Sequence, residues 1–230
     1  MFQLGQIDKW GVILFNNVTI FANTVNVRKQ MGIVERKIRH KEEVRSGILA
    51  AAWNMVITEG WQSLSIRKIA DAIEYSIPVI YNHFENKEAI LLEFSKEGFQ
   101  KLAVVLSDAK NAHTKPSIQL SAMADAYWDF AFENKEYYQL MFGLGIPACE
   151  MVNQITEMKE MTSILISTIK EALAAAQNEE ADSFLKFHTY WSILHGLVSI
   201  QMIDKDGKPD MIKKMILKDA MDGFGKSLAV

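Results

Sequence analysis

Apolar side chains recur every three or four residues along most of the chain, and this spacing predicts amphipathic helices. The most regular stretch, Arg45 to Lys87, predicts a compact unit of three short helices. Gly60 follows the end of the first, where a left-handed C-terminal residue costs glycine little. The apolar face of that first helix is predicted at Ile48, Leu49, Ala52, Val56 and Ile57.

The second and third predicted helices form a helix-turn-helix. Ser65 is suited to cap the second, because its hydroxyl can accept from a free backbone N–H. Ser76 would cap the third, Pro78 fits its first turn, and Ile80 and Phe84 would pack inward. Only three or four residues separate these two helices, as the motif requires. The buried face of the second helix is predicted at Ile66, Ile69, Ala70 and Ile73.

Downstream of Glu88 the pattern continues helix after helix, without the alternation of a strand. Turn signals divide it at Thr114–Pro116, at Gly143 and Gly145, and in the segment DKDGKPD. Asn134 and Asn178 are predicted caps of the helices that follow them. The predicted helices cover about 88–110, 117–132, 134–143, 150–176, 178 to about 200, and 210–228. The sequence therefore predicts an all-α protein.

Helix-turn-helix units bind DNA by placing the second helix in the major groove while the first crosses the backbone. The largely apolar groove-facing residues predict readout weighted toward thymine methyl groups and DNA shape. The residues predicted to face the groove are Ile77, Pro78, Val79 and Asn82. Those predicted to reach phosphates are Ser65, Arg67, Tyr81, His83 and Lys87. The alternative is that the unit is a plain helical packing module.

Composition changes this picture in two ways. The chain of 230 residues has a net charge of −3, so DNA binding must depend on local charge. The segment from Arg28 to Arg45 contains seven Lys or Arg and only three Glu. This local positive charge suits an arm that contacts the DNA backbone through residues such as Arg45, and a solvated helix start is the alternative. The single cysteine, Cys149, excludes an intramolecular disulfide and fits a reducing, cytoplasmic location.

The stretch from Arg45 to about Glu93 resembles the TetR family of bacterial repressors. The matching segments are ILAAA, EGW, LSIRKIADAI and YNHFENKEAILLE, with IYNHFENKE the most specific. The resemblance implies DNA binding by residues 31–90, with Tyr81, His83 and Lys87 contacting phosphates and Ser76 to Val79 forming the DNA-facing end of the recognition helix. It implies that 91–230 binds a small-molecule effector and forms a homodimer on a palindromic operator. The family usually has glycine in the turn where this chain has Glu74.

A predicted helix in the C-terminal half adds a second resemblance. Trp191, His195 and Gly196 are similar to the Trp-x-x-x-His-Gly pattern of one TetR subgroup. Methionine and aromatic residues are abundant here and suit a pocket for varied ligands, although core packing is the alternative for each of them. The predicted effector contacts are Met123, Tyr127, Trp128, Tyr138, Phe142, Met158, Trp191 and His195.

Residues 1–30 do not fit the helical pattern. Their apolar runs, Trp10–Phe15 and Val18–Ala22, are too short and interrupted for a signal peptide or a membrane span. Met31 begins a segment like a natural start for the family. We therefore expect residues 1–30 to be a mostly unstructured extension from start-codon assignment, with an extra strand or a partner-binding tail as the alternative.

Enzymatic motifs are missing from the sequence. It has no G-x-G-x-x-G after a strand, no P-loop and no H-E-x-x-H, and its five histidines are scattered. We therefore expect no catalytic residues, no metal and no cofactor. Two alternatives to a regulator remain: an interaction protein that has lost DNA binding, and a helical ligand carrier or enzyme. The effector, the operator sequence and the choice between repression and activation are left open.

Overall fold

The computed structural model describes residues 19–143, 156–202 and 211–229, with side chains from Gly32 onward. Every regular element in these ranges is a helix, which confirms the all-α prediction. A single 3-10 turn, Trp61–Ser63, separates the first two helices. The α-helices are α1 Thr19–Glu59, α2 Ile66–Ala72, α3 Ile77–Tyr81, α4 Lys87–Asn111, α5 Pro116–Glu133, α6 Lys135–Met141, α7 Thr156–Ala175, α8 Ser183–Met202 and α9 Met211–Ser227.

The chain divides into two units, residues 1–50 and 51–230, and α1 crosses the boundary. In the first unit the side chains from Ile33 to Glu43 are exposed, whereas Val44 and Ile48 are buried. Residues 19–30 are helical, so the predicted unstructured extension does not hold for them. Adding turns to an existing helix is easier than nucleating a new one, which accounts for this difference. Residues 1–18 lie outside the described ranges.

The second unit is built around α4. This helix packs against α5, α6 and α7, and α8 packs against both α7 and α9. The predicted bounds of α4, about 88–110, match the observed Lys87–Asn111 within one residue at each end. The first predicted cap of the C-terminal helices, Asn134, precedes α6, but its side-chain amide donates to Phe130 O at 3.1 Å instead of capping.

Three local predictions are wrong. Ile57 is exposed because positions 48, 52, 55 and 56 already form the buried face of α1, and residue 57 is rotated about 100° from residue 56. Gly60 has φ 83° and ψ 167°, which is a glycine conformation but not the left-handed helical one. Asn178 does not cap α8, because Asp182 Oδ1 accepts from Phe184 N at 2.8 Å and Leu185 N at 3.2 Å.

Candidate nucleic-acid interface and effector site

The turn between α2 and α3 contains four residues, 73–76, and is fixed by two backbone hydrogen bonds. Tyr75 N donates to Ala70 O at 3.0 Å, and Glu74 N donates to Asp71 O at 3.3 Å. This pairing is a Schellman motif, which requires a left-handed residue at the position of Glu74. Glu74 has φ 58°, so the position usually occupied by glycine is here filled by a strained carboxylate residue.

The two predicted serine caps have different outcomes. Ser65 caps α2, since its Oγ accepts from Lys68 N at 3.3 Å. Lys68 also pairs with Glu59 at 2.8 Å, which ties the end of α1 to α2. Ser76 occupies the N-cap position of α3, but its side chain makes no capping hydrogen bond and is exposed.

Most of the predicted DNA contacts, from Ser76 to Lys87, lie in α3 or next to it, and Ser65 and Arg67 lie at the start of α2. Ile80 and Phe84 are buried, as predicted, so the opposite side of α3 faces outward. Arg45 lies in the first unit, on α1, and is half-buried. The other predicted contacts are exposed at Arg67, Ser76, Pro78, Tyr81 and Asn82 and half-buried at Ser65, Ile77, Val79, His83 and Lys87.

Two residues of this surface were not predicted. Asn86 caps α4, with its Oδ1 accepting from Ala89 N at 2.8 Å. Its position three residues before an apolar-periodic run was a detectable signal. Tyr75 is 40% exposed in the turn, two residues before α3. Hydrophobic periodicity gives no signal for an aromatic residue in a turn.

An aromatic group joins α1, the 3-10 turn before α2, and α4 to α6. Trp53 of α1 stacks on Tyr137 with ring centroids 4.2 Å apart and contacts Phe94 of α4 at 5.2 Å. Trp61 lies 6.0 Å from Trp53, and its indole N–H donates to Glu136 O at 3.2 Å. The first turn of α6 is therefore in direct contact with residues flanking α2.

A second aromatic group, which we call the effector cluster, lies among α5, α6 and α8. It comprises Tyr127, Tyr138, Phe142, Trp191 and His195. The two tyrosine hydroxyls are 3.1 Å apart, and the Tyr138 hydroxyl is 2.7 Å from His195 Nδ1. The Phe142 ring is 4.8 Å from His195 and 6.0 Å from Trp191. Five of the eight predicted effector contacts therefore meet in one place.

The effector cluster is uncharged. Burial lowers the pKa of His195, and burial followed by the neighbouring Tyr127 raises the pKa of Tyr138. A neutral imidazole accepts at one nitrogen and donates at the other. If Tyr138 donates to Nδ1, the remaining Nε2–H faces Ser199 Oγ at 3.4 Å. The tyrosine hydroxyls, the imidazole and the Ser199 hydroxyl thus form a hydrogen-bonded chain that carries no formal charge. Such a chain can bind an uncharged hydrogen-bonding group.

The other three predicted effector contacts have different surroundings. Met123 and Trp128 are fully buried side chains of α5, and the ring contact of Trp128 is with Phe132 at 4.9 Å. Met158 is half-buried in the first turn of α7. These positions are better explained as core or helix surface than as part of the effector cluster.

The described ranges offer neither a metal site nor a membrane span. They contain no group of three His, Cys, Asp or Glu side chains able to hold a metal ion. None of their helices is long and apolar enough to cross a membrane. Cys149 lies outside these ranges.

Two short helices joined by a four-residue turn, beside an all-α body, form a helix-turn-helix, the motif that DNA-binding proteins place in the major groove. Comparison with family models specifies it further. Residues 48–101 match the model for bacterial regulatory proteins of the tetR family, and residues 120–210 match a tetracyclin repressor-like C-terminal domain. The two matches together cover more than half of the chain. It therefore belongs to the TetR family and is a DNA-binding transcriptional regulator, a class that is generally not enzymatic.

Individual relatives agree with this assignment. The chain is 25% identical over 162 residues to the transcriptional activator FasR of Mycolicibacterium smegmatis, covering 70% of each protein. It shares its fold with a Rhodococcus sp. RHA1 protein of unknown function, at a TM-score of 0.66 and 24% identity over 81% of this chain and 95% of that one. The fatty acid degradation regulator FadR of Bacillus halodurans gives a TM-score of 0.62 and 20% identity over 78% of this chain and 97% of that one.

Proposed function

We propose that this protein is a cytoplasmic repressor that binds a palindromic operator as a homodimer and leaves it when a small molecule binds its C-terminal half. The observation that carries the proposal is the position of α6. Tyr137 stacks on Trp53 beside the helix-turn-helix, and the next residue, Tyr138, belongs to the effector cluster. One seven-residue helix therefore contacts both the DNA-binding part and the cluster.

The mechanism is a shift between two populations. An effector inserted among Tyr138, Phe142 and His195 would separate rings that now lie 4.7 to 5.7 Å apart and so displace α6. The Trp61 hydrogen bond and the Trp53 stack would transmit that displacement to α2 and α3. Effector and operator would then oppose each other by the same factor, because linkage between two binding sites is reciprocal.

Operator binding is assigned to residues 31–90. The residues that face the groove are Ser76, Ile77, Pro78, Val79 and Asn82. The residues that contact phosphates are Arg45, Ser65, Arg67, Tyr81, His83 and Lys87. The apolar side chains of Ile77, Pro78 and Val79 are at least partly exposed. They favour contact with thymine methyl groups, since they offer no donor fork for guanine. Enrichment of half-sites centred on guanine contacts, with affinity lost in Asn82→Ala, would contradict this readout.

Dimer formation is assigned to α8 and α9, within residues 91–230. Large apolar side chains are exposed on both: Ile200, Met211, Ile212, Met215 and Ile216. Gly196 has open space where a Cβ would be, so no helix of the described chain occupies that position. An exposed apolar face with a glycine in it is suited to the close approach of a second copy.

The effector is proposed to be a largely apolar molecule with one uncharged hydrogen-bonding group. The effector cluster offers aromatic surface and a neutral Tyr–Tyr–His chain, and burying a charge there without a partner would be costly. Trp191, His195 and Gly196 also fit the Trp-x-x-x-His-Gly subgroup pattern. The name of FadR favours metabolites of fatty acids as the first compounds to screen.

The test of operator binding is selection of bound fragments from a randomised DNA pool at two salt concentrations. A variant with Tyr81→Ala and Lys87→Ala serves as control. We expect one palindrome to be enriched, with affinity that falls steeply with salt because phosphate contacts release counterions. A folded dimer that enriches no sequence at either salt would overturn the proposal.

A second candidate is an interaction protein that retains the fold but has lost DNA binding. Glu74 beside α3 and the net charge of −3 favour it. This candidate predicts no salt-dependent DNA affinity.

If an operator is found, a reporter gene placed under its control decides between repression and activation. This step is necessary because FasR is named an activator.

A further inference from the structure

A cleft separate from the effector cluster lies between the start of α5, the middle of α8 and the end of α9. Its volume is about 280 Å³, slightly below the range of about 300–1,000 Å³ for drug-sized ligands. Its occupant would therefore be smaller than a drug-sized molecule. None of the residues that line it belongs to the effector cluster.

The wall of this cleft is apolar and fixed in position. Leu120, Met221, Phe224 and Leu228 line it and are buried. The Tyr190 hydroxyl is not available to a ligand, because it donates to Leu120 O at 2.7 Å. Hydrogen bonds from α8 and from the loop before it also hold the end of α9. Lys186 Nζ donates to Ser227 O at 2.6 Å, and Asn178 Nδ2 donates to Leu228 O at 3.0 Å.

The rim of the cleft is polar, and its polar groups differ in whether they already have an ion-pair or hydrogen-bond partner. Asp222 is already paired with Lys218 at 2.6 Å. Lys226 also lines the cleft, and its ammonium group makes no ion pair or hydrogen bond with the described residues. The hydroxyls of Ser117 and Ser121 likewise make no hydrogen bond within those residues. The rim thus retains one cation and two hydroxyl groups for a ligand.

We propose that this cleft binds a short aliphatic monocarboxylate. The carboxylate lies at the rim, paired with Lys226 and hydrogen-bonded by the serine hydroxyls, and the hydrocarbon part covers the apolar wall. A cationic head group is disfavoured, because Lys226 would repel it and Asp222 is already neutralised. The cleft shares no residue with the effector cluster, so this ligand is distinct from the effector.

The test titrates hexanoate, hexanol and hexylamine into the full chain labelled with ¹³C at the methionine methyl groups. Met221 lines the cleft, whereas Met161 is buried in α7. We expect hexanoate to shift the Met221 signal and leave Met161 unchanged. Hexanol should bind about fivefold more weakly, as expected for loss of one exposed ion pair. Equal affinity for all three compounds, or a stronger shift with hexylamine, would overturn the assignment.

Two variants and one control locate the site. Lys226→Gln should reduce the affinity for hexanoate to that for hexanol, and Lys170→Gln, the same change on an exposed face of α7, should not. Gly225 lines the cleft, and open space lies where its Cβ would be, so Gly225→Leu should fold and abolish the Met221 shift. Undiminished binding by folded Gly225→Leu would place the ligand elsewhere. DNA affinity is measured separately, so failure of this proposal leaves the proposed function intact.

Discussion

Gly98 of α4 is the glycine whose replacement has the clearest physical consequence. A Cβ there would lie 2.5 Å from Met141 Sδ and 3.3 Å from Tyr137 Cβ, both on α6. Gly98→Ala should therefore lower the free energy of unfolding by about 1–3 kcal/mol, the usual cost of overpacking. Urea denaturation measures this change.

The matched control for Gly98 is Gly223 on α9, where a Cβ would meet nothing within 4 Å. Gly223→Ala should raise the free energy of unfolding by up to about 1 kcal/mol, because alanine is the better helix former. If both substitutions stabilise the protein, α4 and α6 do not approach each other as closely as described.

Glu74 combines backbone strain with a charge beside α3. Glu74→Gly should raise the free energy of unfolding by about 0.5–1 kcal/mol, since glycine adopts positive φ without a Cβ clash. It should also tighten operator binding by removing a negative charge. Gln177, with φ 57°, ends α7 in the same hydrogen-bond pattern. Gln177→Gly should give the same stability gain and no change in DNA affinity. If both variants bound the operator more tightly, the gain in affinity would come from stability and not from the charge of Glu74.

His195 makes stability depend on pH. Burial lowers its pKa from 6.5, so the unfolded chain takes up a proton at a higher pH than the folded chain does. The free energy of unfolding should therefore fall as the pH drops below about 6.5. Comparison of His195→Gln with wild type at pH 7 and pH 5 isolates this contribution, which should be missing from the variant. The control is His188→Gln on the exposed side of α8, and an identical pH response in all three proteins would contradict the assignment.

At the scale of elements, α6 makes the contacts that the proposed mechanism needs. Trp61→Phe removes the hydrogen bond to Glu136 O and should cost about 1 kcal/mol of stability. If α6 carries the signal, the ratio of operator affinities without and with effector should also decrease. Trp53→Phe, which keeps an aromatic ring against Tyr137, should preserve more of that ratio. An unchanged ratio in Trp61→Phe would remove this hydrogen bond from the mechanism.

The sequence predicted elements better than it predicted their partners. Periodicity gave α4 within one residue at each end, and serine chemistry gave the Ser65 cap, because both signals are local. The cap of α8 was misplaced since Asn178 and Asp182 are both good capping residues, and Asn178 bonds to Leu228 O, 50 positions away. No local pattern encodes such a contact.

The candidate site shows the same division. Five of the eight predicted effector contacts lie together, because aromatic residues at helical spacing face inward. Trp128 and Met123 follow the same pattern but belong to the core, and periodicity cannot tell a core aromatic from a ligand contact. The contact of Trp53 with Tyr137 joins residues 84 positions apart in the chain and required the structure.

At the scale of the whole molecule, the proposed dimer depends on the apolar start of α9. Met211 and Ile212 are 81% and 68% exposed, more than any other large apolar side chains described. Ile212→Lys should shift the protein toward monomer in sedimentation velocity and weaken operator binding, because a palindrome is bound by two copies. Lys213→Ile serves as a reversed-polarity comparison and should not dissociate the dimer. A dimer that survives Ile212→Lys unchanged would exclude this face.

The shortness of α6 has a consequence for how a signal could travel. Isolated helices of fewer than about 12 residues are marginal in water, and α6 has seven. Its winding therefore depends on the rings that hold Tyr137 on one side and Tyr138 on the other. A ligand that takes away one of these supports would therefore loosen the helix as it displaces it. In that case the backbone amides of α6 would exchange their hydrogens with solvent faster as the operator is released.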